Sequence, residues 1–349
     1  MHYRMYSVLL LLAGSASLAL AETPAATAKL IEVKKIWDQG KHNAFTDLIR
    51  WRAKWYCVFR EAEAHVGGDG KLRVLESADG TDWQSVGLVA EDGIDLRDPH
   101  FSITPDDRLM IVAGGSVYRG TKTIMGRQPR VSFSKDARRW SPPQRVAEED
   151  DWLWRVTWHE GKAYGVAYNA AARQTKEAKE AAKQSGPVSS DPADWKLRLL
   201  SSADGVKYET ITHLGVPGHP NETTLRFLPG GRMLALVRRE GGNTMGWIGA
   251  SEPPYKDWKW HETKSRLGGP NFIQLPDHSL WASSRKYPGG PKTVLARMTP
   301  TSYEPVLELP SGGDTSYAGL VWHEGLLWIS YYSSHEGKSS IYLAKVRVP

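Results

Sequence analysis

The chain has 349 residues and a formal net charge of +6, with 40% hydrophobic and 24% charged residues. This is the composition of a globular protein, and its basic residues are too scattered to predict a nucleic-acid-binding surface. The sequence contains no P-loop, dinucleotide-binding fingerprint, zinc-binding motif or second long apolar segment. We therefore expect no cofactor, no metal and no membrane span. The single cysteine, Cys57, excludes an intrachain disulfide.

The N-terminal residues have the pattern of a secretory signal peptide. Arg4 precedes an apolar run over 8–12, and Ala19-Leu20-Ala21 forms an A-x-A cleavage site. We therefore expect a signal peptide over 1–21 and a single domain over 28–349. The mature protein is predicted to be exported, periplasmic or extracellular, and monomeric.

One short pattern, Ser77-Ala78-Asp79-Gly80-Thr81-Asp82-Trp83, recurs along the chain. Modified copies occupy 134–140 and 202–208, and a more degenerate one occupies 251–258. An Asp side chain can bond the backbone N–H groups just ahead of it, Gly accepts a positive φ, and the aromatic ring folds back over the turn. The pattern predicts a hairpin turn that recurs once in each structural repeat.

Six similar segments follow one another, each with a short apolar strand, a tight turn and a second strand. Equivalent points in them are 46 to 67 residues apart, and these points are Asn43, Arg97, Arg155, Glu222, Asn271 and Tyr317. A period of this length fits one four-stranded antiparallel sheet. Six such sheets around an axis predict an all-β, six-bladed β-propeller.

Two segments depart from the regular pattern. The last repeat supplies only three strands after Tyr317, whereas a strand predicted over 30–37 has no partner at the start of the chain. We expect this N-terminal strand to complete the last blade and close the ring, because closure removes two open sheet edges. Residues 170–184 are rich in Ala, Lys and Glu and predict a surface helix inserted in the third blade.

Polar and charged residues lie where the inner strands of the predicted blades begin and end. A propeller binds its ligands at one mouth of its central axis, so these residues predict a polar, cationic pocket there. The residues in question are His42, Asn43, Arg60, His65, Arg97, Asp98, Arg155, Glu222, Arg238, Arg285 and Tyr317.

The recurring S-x-D-G-x-x-W turn resembles the Asp-box repeat of sialidase-type β-propellers. Glu222, followed 16 residues later by Arg238, is similar to the Glu and second Arg of that family, and Arg285 is similar to its third Arg. Tyr317 is similar to its Tyr nucleophile. The resemblance implies an exo-glycoside hydrolase of the exo-alpha-sialidase type, acting on a terminal, carboxylate-bearing sugar of an anionic glycan or oligosaccharide.

In this interpretation the catalytic residues are Tyr317 and Glu222, and a larger set binds the substrate. A neutral Tyr can attack an anionic anomeric centre that would repel a carboxylate, and Glu accepts its proton. An Arg guanidinium can donate two parallel hydrogen bonds to a carboxylate in one plane. The predicted substrate-binding residues are Arg60, Arg97, Asp98, Arg155, Arg238 and Arg285.

Two positions differ from the family pattern and open other interpretations. His42 lies near the position at which the family has its first Arg. His65 lies near the position of the family's general-acid Asp, and Asp69 is a possible replacement for that Asp. A His with Tyr317, beside carboxylate-neutralising Arg residues, is also what β-elimination from a uronate requires. The alternatives are therefore a lyase or another hydrolase acting on uronate-containing glycans, with His42 or His65 catalytic, and a non-catalytic sugar-binding propeller.

Overall fold

The computed structural model describes residues 27–119, 123–169 and 195–349. Every regular element in these ranges is a β-strand, and the strands form six separate four-stranded antiparallel sheets. The predicted all-β, six-bladed propeller is therefore confirmed. The predicted signal peptide over 1–21 and the predicted helix over 170–184 lie outside the described residues. Within the described ranges, no helix has the length and apolarity needed to cross a membrane.

The blades follow one another along the chain, and within each of the first five the strands run in chain order from the inner to the outer edge. The first blade contains β2 (His42–Trp51), β3 (Lys54–Ala62), β4 (Lys71–Ser77) and β5 (Gln84–Val89). The second contains β6 (Asp95–Ile103), β7 (Leu109–Arg119), β8 (Thr123–Ser134) and β9 (Gln144–Arg145). The third contains β10 (Asp151–His159), β11 (Lys162–Asn169), β12 (Leu197–Ser202) and β13 (Glu209–Leu214).

The other three blades repeat this order, and the sixth takes its outermost strand from the start of the chain. The fourth contains β14 (Pro220–Phe227), β15 (Met233–Arg239), β16 (Met245–Ser251) and β17 (Lys259–Arg266). The fifth contains β18 (Asn271–Gln274), β19 (Leu280–Lys286), β20 (Lys292–Thr299) and β21 (Ser302–Glu308). The sixth contains β22 (Thr315–His323), β23 (Leu326–Ser333), β24 (Ser340–Arg347) and β1 (Lys29–Trp37).

The ring closes as predicted, because β1 pairs with β24. The two strands are antiparallel, with Lys29 opposite Arg347 and Trp37 opposite Ile341. The sixth blade thus combines strands from both ends of the described chain, and no blade is left a strand short.

The recurring turn joins the two outer strands of the first four blades. Asp79 Oδ1 accepts the N–H of Thr81 (2.8 Å), and Gly80 has a φ of 81°. The indole nitrogen of Trp83 donates to the carbonyl of Gly80 (3.2 Å). The degenerate fourth copy forms an equivalent turn, since Tyr255 has a φ of 66° and accepts the indole N–H of Trp258 (3.0 Å).

Polar side chains of the inner strands bond to the next blade. Thr46 Oγ1 donates to the carbonyl of Tyr317 (2.9 Å), and Thr157 Oγ1 donates to that of Leu225 (2.9 Å). Asn271 Nδ2 donates to the carbonyl of Ala318 (2.9 Å). Because neighbouring blades belong to separate sheets, these bonds replace backbone ladders around the axis.

Five of the six inner strands carry a β-bulge close to where they begin. In β22, Tyr317 and Ala318 together oppose one residue of β23, because Ser316 pairs with Tyr332 and Gly319 with Ser330. Equivalent register shifts occur in β2, β6, β10 and β14. Bulges turn side chains out of the regular alternation, and here they do so at one rim of the ring.

The closeness of the first and sixth blades predicts that Gly319 cannot be enlarged. A Cβ at this position would lie 2.1 Å from the backbone nitrogen of Leu48 in β2. We expect Gly319→Ala to lower the free energy of unfolding by about 1–3 kcal/mol, because packed backbones have to separate. Urea denaturation measures this change.

The matched control is Gly215→Ala, where an added Cβ has no neighbour within 4 Å. It should change the free energy of unfolding by less than about 0.5 kcal/mol. Equal stability of the two variants would contradict the close approach of the blades.

Candidate functional site

The bulges at the mouth bring Tyr317 of β22 against Glu222 of β14. The Tyr317 hydroxyl donates to Glu222 Oε1 over 2.5 Å. Tyr317 is 8% exposed and Glu222 5% exposed, so both members of the pair are largely shielded from water. Burial, followed by the charge of Glu222, raises the pKa of Tyr317 well above its usual value. The phenol is therefore neutral at physiological pH, with its proton directed at a carboxylate.

Arg238 and a backbone amide hold the Glu222 carboxylate in place. Arg238 Nη1 donates to Glu222 Oε1 (2.7 Å) and lies 3.2 Å from the Tyr317 oxygen. The N–H of Gly269 donates to Glu222 Oε2 (2.8 Å). Glu222 thus has both oxygens bonded, and one of them receives the Tyr317 proton. Such a base is oriented before any substrate arrives.

Asp98 is a second carboxyl group at the mouth, at the bulge of β6. It adopts a φ of 48°, an unusual conformation for a residue other than glycine. Burial raises its pKa to about 6; the charge of Arg97 opposes this shift and that of Glu222 adds to it. A carboxyl group with such a pKa exchanges protons near neutrality, as a general acid must.

Arg285 also lies close to Tyr317, at the end of β19. Its guanidinium carbon is 5.6 Å from the centre of the Tyr317 ring. Its Nε donates to the carbonyl of Thr315 (2.7 Å) and its Nη2 to the Tyr332 hydroxyl (2.9 Å), with Asp314 Oδ1 3.3 Å away. Nη1 has no hydrogen-bond partner among the described residues, so it remains able to bind a ligand.

His42 and His65 both face Asp314. Asp314 Oδ2 lies 2.6 Å from His65 Nδ1 and 3.6 Å from His42 Nε2. The His65 side chain is 48% exposed and that of His42 13% exposed. Burial lowers the pKa of His42. The two histidines predicted from the sequence therefore share one carboxylate at the rim.

Arg97 is close to the site, with its guanidinium over the ring of Phe45. The guanidinium carbon lies 5.0 Å from the ring centre, and Nη1 donates to the carbonyl of His65 (3.0 Å). Phe45 itself packs against Tyr317, His65 and Tyr332 at 5.0 to 5.4 Å. Phe45 therefore contacts both His65 and Tyr317.

Two predicted substrate-binding arginines are paired with buried carboxylates. Arg60 is 0% exposed and forms an ion pair with the fully buried Asp95 (2.7 Å). Arg155 is 4% exposed and donates to Asp47 (2.8 Å), which also accepts the N–H of Phe101. Both therefore brace the structure beneath the mouth.

The structure also brings up groups that the sequence interpretation missed. Asp314, Tyr332 and the amide of Gly269 contact the predicted residues directly. The signal for Asp314 was its position after Gly312-Gly313 and before the Tyr317 strand. Tyr332 closes the sixth repeat, but its hydroxyl had no recognisable role in the repeat pattern.

Carboxylates offset the arginines at the mouth. Arg238 also pairs with Glu240, which in turn accepts from Arg266 (2.8 Å). The guanidinium groups belong to Arg60, Arg97, Arg238 and Arg285, and the carboxyl groups to Asp95, Asp98, Glu222, Glu240 and Asp314. Carboxyl groups therefore accompany the arginines of the predicted polar, cationic pocket.

No protein-family model and no curated protein matches the sequence. Solved structures do match in fold. A protein of unknown function from Dyadobacter fermentans has a TM-score of 0.78 and 16% identity, covering 93% of this chain and 100% of its own. The GH93 alpha-L-arabinofuranosidase of Fusarium graminearum, in complex with arabinobiose, has a TM-score of 0.68 and 13% identity, covering 91% and 98%.

The sialidase of Trypanosoma rangeli, in complex with the inhibitor DANA, is also similar. Its TM-score is 0.66 at 10% identity, covering 88% of this chain and 55% of the sialidase. The chain therefore spans about half the length of that enzyme. At these identities the likeness confirms the predicted resemblance to sialidase-type propellers at the level of the fold.

The burial of Arg60 predicts a structural role for its charge. Its guanidinium also donates to the carbonyls of Ala64 (2.8 Å) and Gly67 (3.2 Å), in the loop that carries His65. We expect Arg60→Met to lower the free energy of unfolding by about 3–5 kcal/mol, because it leaves Asp95 buried without its partner. Chemical denaturation tests this.

Arg139→Met is the control for Arg60→Met. The Arg139 side chain is 92% exposed and pairs with Asp136 at the surface. Loss of this surface ion pair should lower the free energy of unfolding by less than about 1 kcal/mol. If Arg60→Met were equally mild, the buried ion pair would not be holding the loop.

Proposed function

We propose that the protein is an exo-glycoside hydrolase that uses Tyr317 as nucleophile and Glu222 as its base. The observation that carries this proposal is the 2.5 Å hydrogen bond from the Tyr317 hydroxyl to Glu222 Oε1, at the open mouth of the propeller. The sialidase and arabinofuranosidase names of its structural neighbours support the general class. The signal-peptide pattern supports action outside the cytoplasm.

In the first step the sugar is transferred to Tyr317. The phenolic oxygen forms a bond to the anomeric carbon while the bond to the leaving oxygen breaks. Glu222 takes the Tyr317 proton, and Asp98 gives its proton to the leaving oxygen. Asp98 suits this role because its pKa, raised by burial to about 6, lets it hold a proton near neutrality.

In the second step water releases the sugar. Its oxygen bonds to the anomeric carbon, and the electron pair of the breaking bond returns to the Tyr317 oxygen. Asp98 takes a proton from the water, while Glu222 returns its proton to Tyr317. Two displacements at one carbon retain its configuration, so we expect the released sugar to have the anomeric configuration of the substrate.

The sugar that we propose carries a carboxylate. Arg238 and Arg285 both lie close to Tyr317, and Arg285 keeps Nη1 free for a ligand among the described residues. A neutral phenol is also the nucleophile that tolerates a neighbouring negative charge. A cavity of about 470 Å³, lined in part by Arg266, Arg285 and Tyr287, adjoins the site and offers room for a further sugar unit.

The first test follows product formation from three classes of substrate: a sialoside, an arabinofuranoside and a mixture of uronate polysaccharides. Released sialic acid or uronic acid, without unsaturated product, is the expected result. An absorbance from unsaturated uronate would instead indicate elimination by His65 or His42 with Tyr317. Binding without turnover of any of the three would replace the enzyme with a sugar-binding module.

Substitution of the nucleophile predicts a loss in the chemical step. Tyr317→Phe should lower kcat by at least about 1,000-fold with a small change in KM, because it removes the attacking oxygen and keeps the ring. Glu222→Gln should lower kcat as strongly, since an amide cannot accept the proton. Steady-state kinetics on the best substrate of the screen measures both.

Tyr208→Phe serves as the matched control. The Tyr208 hydroxyl is buried in the third blade with no hydrogen-bond partner among the described residues, so its removal should leave kcat unchanged. Undiminished turnover by Tyr317→Phe would remove the central residue of the proposal.

The acid role of Asp98 predicts a pH dependence. Its charged neighbours are Arg97, Glu222, His65 and Arg60. A group that must be protonated to act loses activity as the pH rises through its pKa, so kcat/KM should fall above about pH 6. Asp98→Asn should remove this alkaline limb and lower kcat/KM by about 100-fold or more.

A change of leaving group separates an acid from a residue that only binds. A nitrophenyl leaving group departs without protonation, so Asp98→Asn should retain far more activity on a nitrophenyl glycoside than on a natural disaccharide. The same loss on both substrates would rule out Asp98 as the proton donor.

A further inference from the structure

His42, His65 and Asp314 come from three separate parts of the chain and meet at the mouth. His42 begins β2, His65 lies in the loop after β3, and Asp314 immediately precedes β22. One ring nitrogen of each histidine and one carboxylate oxygen lie within 4.8 Å of one another. The sequence predicted no metal because these residues are far apart and form no recognised motif.

One of the two ligand-to-ligand distances fits a common ion, and the other requires a small shift of His65. In a tetrahedral zinc site with bonds of about 2.0–2.2 Å, two ligand atoms lie roughly 3.4 Å apart. His42 Nε2 is 3.6 Å from Asp314 Oδ2, which is long for a hydrogen bond and close to that value. His65 Nδ1 lies 2.6 Å from Asp314 Oδ2, which is shorter than the spacing of two zinc ligands. The His65 ring is half exposed, so it can move away from Asp314 to reach that spacing.

The remaining contacts prepare Asp314 for such a role. Its other oxygen, Oδ1, accepts from the Tyr332 hydroxyl (2.7 Å) and lies 3.3 Å from Arg285 Nη2. Carboxylates that bind metals are oriented by hydrogen bonds of this kind. His42 Nε2 faces Asp314 Oδ2, while Nδ1, on the other side of the ring, is buried with no hydrogen-bond partner among the described residues.

We propose that His42, His65 and Asp314 form a site for a divalent transition metal of the zinc type, with three protein ligands. Imidazole nitrogen and carboxylate oxygen are ordinary zinc ligands, and three of them leave a fourth position for water or a substrate oxygen. Asp314 supplies negative charge to the site, and Arg285 lies against its Oδ1 while the histidines face its Oδ2. The proposal does not depend on the chemistry of Tyr317.

The test measures binding directly on the full, untagged chain, because a polyhistidine tag would itself bind zinc. After treatment with a chelator and dialysis, the protein is titrated with ZnCl₂ in a calorimeter. We expect one ion per chain, and a visible absorption band when CoCl₂ replaces ZnCl₂. His65→Ala and Asp314→Asn should each weaken zinc binding by about 100-fold or more.

His261→Ala is the control, since His261 is an exposed histidine of β17 and should leave binding unchanged. Thermal unfolding distinguishes a lost site from a misfolded variant. Zinc should raise the unfolding temperature of the wild type and not that of His65→Ala, whose substituted ring is half exposed.

Failure of the wild type to bind one equivalent overturns the proposal, and so does equal binding by His65→Ala. Tyr317→Phe separates this inference from the proposed function. It should bind zinc like the wild type while losing turnover, so each claim can fail without the other.

Discussion

Polar side chains on the inner strands hold the blades together around the axis, and the site depends on them. The six sheets share no backbone ladder, so Thr46, Thr157 and Asn271 bridge neighbouring blades by bonding to backbone carbonyls. Below the mouth, Asp47 accepts from both Arg155 and the amide of Phe101. These bonds fix the displacement of each inner strand along the central axis relative to its neighbour. The distance between residues on different blades, such as Tyr317 and Glu222, depends on these displacements.

The bulges change the direction of side chains at the rim of this ring, where the candidate site lies. In a regular strand, alternate residues face alternate sides of the blade, and few would point along the axis. Two residues opposite one, as at Tyr317 and Ala318, break the alternation at the rim. Positive φ values at Phe45, Asp98 and Tyr317 show the cost of this arrangement in backbone strain. Two of these three residues, Asp98 and Tyr317, have roles in the proposed chemistry.

The repeat, the turns and the closure of the ring could be predicted because each has a local or counting signal. Seven consecutive residues encode the turn at Gly80. The strand missing from the last repeat matches the extra strand predicted at the start of the chain. The bulges had no such signal, since register is decided by packing between blades. The burial of Arg60 and Arg155 was also hidden, because it depends on Asp95 and Asp47, which other strands bring to them. Glu222 and Tyr317 were found through their family resemblance, and their contact is a property of the fold.

The pairing of β1 with β24 has a consequence for how the protein is made. Tyr317 belongs to a blade whose outer strand is among the first parts of the described chain to be synthesised and whose third strand is the last. Contacts between such distant segments form late, because a long loop must close first. On the ribosome, the first five blades can fold while β1 remains unpaired. The Tyr317 blade is completed only when β24 has been synthesised, so until then the nascent chain lacks a complete sixth blade around Tyr317.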